Sequence, residues 1–227
     1  MSKNKKEKGN GMPDALRYFL FILVVVGVIS GIGYGAFVLL DSKEEKESVK
    51  EVVKTNEKEI VGYGIFIDDS DTTLYKTEFD ALNTNLTSDE INYDEYAKSI
   101  AKMFIIDLYT IKNKINKYDV GGLEFVYEPA RENYTTNVTD TIYKYVEDNG
   151  NGEREQTLPV VKSINVDSFE KTKFTIDKDK KNKKDDKTFD AYKVKLTWSY
   201  SLDLGYDTTG EVIVINDNNK LYVVEKN

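Results

Sequence analysis

The sequence predicts an α+β domain, two main helices packed on a curved antiparallel sheet, carried behind a single N-terminal transmembrane helix. Three observations predict it. Residues 18–40 hold no charge, apolar residues recur at three- and four-residue steps through 96–115, and the chain alternates apolar with polar residues from Tyr192 to Leu202.

The uncharged run reads YFLFILVVVGVISGIGYGAFVLL, 23 residues long. A helix rises about 1.5 Å per residue and the hydrocarbon core is about 30 Å thick, so the run is long enough to span. It is also longer than the apolar region of a cleaved signal peptide, and Phe37 to Leu40 continue it past the best small-residue cleavage site. An uncleaved anchor is therefore expected. Lys3, Lys5, Lys6, Lys8 and Arg17 precede it, against Glu7 and Asp14. That basic flank predicts a cytoplasmic N-terminus and a C-terminal domain outside the cytoplasm, so a single-pass protein of the cell membrane. Gly27, Gly31 and Gly35 fall four residues apart and form a face on which another membrane helix can pack closely.

The organisation expected is a basic tail (1–17), the membrane helix (18–40), a charged juxtamembrane spacer (41–59) and an extracytoplasmic domain (60–227). The whole chain carries −8. Five basic and two acidic residues up to Leu40 give +3, which leaves −11 beyond it. So acidic a domain does not suit nucleic acid, whose phosphates call for a basic surface. Cysteine is absent, so no disulfide supports the fold.

The spacer leads to two short β-prone runs, 60–67 and 73–79, expected to pair as a hairpin. Asp68, Asp69, Ser70 and Asp71 between them are turn chemistry rather than the spacing of a calcium loop. Thr87 and Glu90 fit a capping box for a long helix over about 88–116, with Tyr96, Ile100, Phe104, Leu108, Ile111 and Ile115 on its apolar face. Gly121 and Gly122 are expected to end it. Pro129 suits the first turn of a second helix, with Ala130, Tyr134, Val138, Ile142 and Tyr145 on one side. Strands follow over 158–166, 170–177, 188–202, 209–215 and 220–225. A charged tip (177–187) and the turn Asn216–Asn219 lie between them.

Helices followed by a long-stranded antiparallel sheet, behind a basic tail and one membrane helix, resemble the nuclear-transport-factor-two-like (cystatin-like) superfamily. The stretch YAKSIAKMFIIDLYTIKNKINKYDVGGLEFVYEPARENY (96–134) and the strands of 158–225 carry the resemblance. Within that superfamily the layout looks like the bitopic scaffold subunit of type IV secretion and conjugation machines. The resemblance implies a cone between sheet and helices and a part in an assembly.

Histidine is also absent, which removes the usual nucleophilic triads and the commonest metal ligand. No phosphate loop or zinc spacing is present. Glu124, Glu128 and Glu132 lie four apart and read as a solvated acidic edge, with Arg131 as an ion-pair partner. No catalytic residue, metal or cofactor is expected. The function predicted is a non-enzymatic, membrane-anchored protein-interaction component of a cell-envelope complex, of the secretion or conjugation kind. Its partners would be the bilayer and other proteins or further copies of itself, through the membrane helix and the domain. The alternative is a domain that binds a small molecule or cell-wall fragment, with Tyr192, Trp198 and Tyr200 as candidate pocket lining.

Overall fold

The computed structural model describes residues 58–60, 62–176 and 186–227. The expected tail, the membrane helix with Gly27, Gly31 and Gly35, all but the last two residues of the spacer, and most of the charged tip lie outside the described residues. Among the described residues, no helix is long and apolar enough to cross a membrane.

The domain is α+β, with three helices packed on a four-stranded antiparallel sheet. A short ribbon opens it, β1 (Lys58–Ile60) against β2 (Ile65–Ile67), with Ile60 opposite Ile65 and both buried. Asp68 is a turn residue, as expected. Its carboxylate accepts from Ser70 N and Ser70 Oγ, and Asp71 Oδ2 accepts from Asp68 N at 2.9 Å.

The segment expected to be the second strand of a hairpin is instead the start of helix α1 (Thr73–Leu86). Thr72 caps it, with Oγ1 accepting from Tyr75 N at 3.1 Å. Tyr75, Phe79 and Leu82 fall on one helical face and are buried. The run is β-prone in composition but does not alternate; Tyr75, Phe79, Leu82 and Leu86 step by four, three and four residues, the period of a helix.

Helix α2 (Tyr93–Tyr109) starts later and ends earlier than the capping box implied. Thr87 closes α1 instead: its hydroxyl donates to Asn83 O at 2.8 Å. The true cap of α2 is Asn92, whose side chain accepts from Asp94 N and Glu95 N. Asn85 fixes the corner between the helices, donating to Asn92 O at 2.8 Å while accepting from Asn92 N at 2.9 Å. Helix α2 is buried almost all round, from Tyr96 to Tyr109, which makes it the centre of the domain. Ile115, expected on its face, is exposed.

Gly121 and Gly122 fold back against the end of α2. A Cβ on Gly121 would stand 2.2 Å from Asp107 O, and Gly122 holds φ +76. Helix α3 (Arg131–Asp140) follows a 3-10 turn that contains Pro129. It ends before Ile142. Tyr145, expected on its apolar face, is 77% exposed, and Tyr143 goes inside instead, its hydroxyl donating to Leu108 O at 2.7 Å.

The sheet is a meander of β3 (Val161–Ile176), β4 (Lys187–Tyr200), β5 (Thr209–Asp217) and β6 (Lys220–Lys226), in that order. The two runs expected over 158–177 are one continuous strand. Register shifts in β3 and between β5 and β6 mark bulges, which bend a sheet. Tyr192, Val194, Leu196 and Trp198 face the helices, as the alternation predicted. Phe189, Ala191, Ile213 and Ile215 form a second buried cluster, with Phe174 and Tyr222 against it. Asn218 and Asn219 both adopt positive φ (55° and 67°), the conformation of a two-residue turn matched to the twist of a hairpin.

Candidate functional site

Strand β6 is an edge strand, and three side chains and one backbone amide deal with its outer side. At Leu221, Tyr63 donates to the carbonyl at 2.6 Å, and the amide reaches Tyr96 Oη at 3.4 Å. At Val223, the carbonyl accepts from Tyr127 N at 2.9 Å, beside a parallel bridge from Val126. Lys220, on the same strand, donates to Gly62 O and lies over the rings of Tyr63 and Tyr222. Among the described residues, no backbone hydrogen bond reaches the outer side of β6 beyond Val223.

A groove of about 400 Å³ opens where that cover stops. Val223, Val224, Glu225 and Lys226 form one wall. Phe104 and Leu108 of α2, with Val138 and Ile142, form the floor and the apolar part of the opposite wall. Asn133 and Asn137, one helical turn apart on α3, add amides to the rim. Tyr134 stands among them, its ring 5.7 Å from that of Phe104 and its hydroxyl donating to Gly121 O at 2.6 Å. Burial raises the Tyr134 hydroxyl far above the usual tyrosine range, so it stays protonated.

At the far end of β6, Lys226 Nζ is held 2.9 Å from Asp207 Oδ2 and 5.3 Å over the ring of Tyr109. The Lys226 ammonium, with a further hydrogen bond from Tyr109 Oη at 3.0 Å, holds the Asp207 carboxyl below its usual range despite partial burial. The groove thus offers an apolar trough, amide groups that both donate and accept, a strand edge, and one fixed cation. This is the chemistry of binding; an unsatisfied strand edge accepts another extended chain.

Tyr192, Trp198 and Tyr200 are not in this groove. Tyr192 is buried and stacks on Phe169 at 5.7 Å and 25°. Trp198 is buried with its ring 5.1 Å from that of Tyr109, and its Nε1 donates to Tyr200 Oη at 2.8 Å. Tyr200, half-buried, donates its own hydroxyl hydrogen bond to the backbone carbonyl of Asp207 at 2.5 Å. All three fill the space between sheet and helices. Glu124, Glu128 and Glu132 do not share a helix: Glu124 and Glu128 sit in separate 3-10 turns and Glu132 on α3. Arg131 bonds backbone carbonyls of Val126 and Glu124 rather than a carboxylate.

The sequence does not announce that the helix faces lining the groove meet the edge of β6. Ala130, Tyr134, Val138 and Ile142, expected on one helix face, do line the groove, and the four-residue spacing of Asn133 and Asn137 is the local signal that those two share a face. Set against known proteins, the chain matches no family model, no curated protein and no solved structure.

Proposed function

We propose that the chain is a single-pass membrane protein whose extracytoplasmic domain docks an extended segment of a partner protein in the groove beside β6. The reading makes it a non-enzymatic assembly component of a cell-envelope complex. The observation that carries it is the strand edge: cover on β6 stops at Val223, and the apolar groove begins there. A bound segment would continue what Val126 and Tyr127 begin, taking main-chain bonds from β6 and amide contacts from Asn133 and Asn137. Support for the anchor comes from the uncharged 18–40 run and its basic flank. Helices followed by a four-stranded meander support the likeness to the secretion-machine scaffold subunit. Gly27, Gly31 and Gly35 would add a contact within the membrane.

A photo-crosslinking side chain at Asn137 of the full-length protein, activated in intact cells, tests this reading. A discrete protein adduct is expected, lost when Val138→Arg fills the groove with a charge. Recovery of monomer alone, or an adduct indifferent to Val138→Arg, sinks it. Protease added to wall-free cells should remove the domain. Gly31→Ile should weaken any adduct between two copies within the membrane.

A second reading, a small molecule or cell-wall fragment in the same groove, is favoured by its volume. About 400 Å³ lies within the span of small-ligand sites, roughly 300–1,000 Å³.

A further inference from the structure

On another side of the domain, Gly64, Ile65 and Phe66 of the β1–β2 ribbon face the starts and ends of helices across a second cleft, about 240 Å³ in volume. Three carboxylates border it: Asp71 from the turn before α1, Asp107 near the end of α2, and Glu124 from a 3-10 turn. None of its lining residues is basic. At its floor is Tyr75, only 9% exposed. Among the described residues, the Tyr75 hydroxyl has no hydrogen-bond partner, although this side chain lines both the cleft and a narrow extension between Asp71 and Asp107. At the mouth, Phe66 exposes 52% of its surface.

We propose that this cleft binds a primary alkylammonium group, with Asp71 and Glu124 as its counter-charges, Tyr75 Oη as a hydrogen-bond acceptor, and Phe66 laid along the alkyl chain. Asp107 is the least free of the three acids. Lys114 Nζ stands 2.6 Å from one of its oxygens and Gly122 N donates to the other at 2.6 Å. Asp71 uses one oxygen on Asp68 N, and Glu124 makes no ion pair among the described residues. Two acids with spare acceptor capacity therefore face the cleft. An ammonium brings three donors and fits that demand. Among the described residues, no three acidic side chains close up enough to hold one metal ion. The apolar mouth at Phe66 suits carbon rather than a bare cation.

The charge balance supports the same occupant. Partial desolvation, first, raises the Asp71 carboxyl and that of the more exposed Glu124, and the charge of Asp107 adds to each. Lys76 acts against this at Asp71, and Lys114 and Arg131 at Glu124, without reversing it. A bound cation would relieve the repulsion that these neighbours leave.

Such a group can come from a free amine or from a lysine side chain of a polypeptide. Saturation-transfer NMR on the full-length protein, with n-butylammonium as the probe, tests the proposal at neutral pH. Saturation of the probe is expected, with none for n-butanol, its neutral counterpart. Glu124→Gln combined with Asp71→Asn should weaken binding at least about tenfold, since each lost charge-assisted contact removes a substantial part of a weak affinity. Tyr75→Phe should weaken it several-fold with unchanged circular dichroism. Tighter binding of a Gly-Lys-Gly peptide than of n-butylammonium points to a polypeptide lysine, and equal or weaker binding to a free amine. Equal saturation of n-butanol, displacement of the probe by millimolar calcium, or unaltered affinity in the double variant overturns the proposal.

Discussion

The hydroxyls of Tyr63 and Tyr96 meet at 2.5 Å, and the direction of their protons is fixed by Leu221. Tyr63 has one proton, and the carbonyl of Leu221, 2.6 Å away, can only accept it. Tyr96 must then donate to Tyr63, which leaves Tyr96 Oη free to accept from Leu221 N. Two side chains thus stand in for the missing neighbour of an edge strand at one residue. Burial, then Tyr96, pushes the Tyr63 hydroxyl far above the ordinary tyrosine range, so the ring keeps its protons at any physiological pH.

Tyr63→Phe keeps the packing against Phe125 and removes the donor to Leu221 O. A buried carbonyl without its partner costs about 1–3 kcal/mol. Urea unfolding should show that loss, with the m-value unchanged; a midpoint equal to that of the wild type would mean water replaces the hydroxyl.

Trp198 is the only tryptophan, so its emission reports one site. Buried against Tyr109, it should emit at short wavelength and resist acrylamide in the folded protein. Trp198→Ala should cost about 3–5 kcal/mol, the range for deleting a large buried ring. Ready quenching in the native state would instead place solvent beside the ring.

Gly121→Ala has no room. Its Cβ would lie 2.2 Å from Asp107 O, a backbone atom that cannot rotate away. Overpacking of this kind costs about 1–3 kcal/mol. The turn carries Gly122 N to Asp107 and Tyr134 to Gly121 O, so the displacement would also loosen the α2–α3 contact. Thermal melts of the variant should shift downward by several degrees; a melt that overlays the wild type would refute the contact.

The raised carboxyls of Asp71 and Glu124 set a sign for pH dependence. Both hold their protons more tightly folded than unfolded. Between the ordinary carboxyl value and the raised one, the folded state therefore binds more protons, and stability falls as pH rises through that window. At neutral pH these two ionised acids oppose the fold. Glu124→Gln is expected to raise unfolding stability near pH 7 and to leave it unchanged near pH 3, where both states are protonated. Destabilisation at neutral pH would reverse the assignment. Asp207 has the opposite sign: with its carboxyl held low by Lys226, its contribution is present above the ordinary value and disappears as acid is added.

The sheet was legible because its signal is local. Lys193, Lys195, Thr197 and Ser199 alternate with Tyr192, Val194, Leu196 and Trp198, and a slip of one residue would turn every side chain over. The first helix was not, because Thr73 to Phe79 is too short a window to separate two periods. The cap of α2 was misplaced because Thr87 and Asn92 both carry side chains suited to a helix end, and only the partner across the corner, Asn85, decides between them. The helix faces that line the groove are legible in the sequence, but the assembly of the groove and of the acidic cleft is not. Each joins residues from three or more separate elements, such as Phe66, Tyr75, Asp107 and Glu124, and no spacing along the chain announces their meeting.

The meander has a consequence for the order in which the domain assembles. Within the sheet each strand pairs with its neighbour in sequence, so β3 to β6 can form hairpin by hairpin. The bond from Tyr63 to Leu221 spans 158 residues and can form only after both ends are in place. A contact of that span is expected to form on the late side of the folding barrier. Stabilising that junction should lengthen the lifetime of the folded state while leaving the speed of folding untouched.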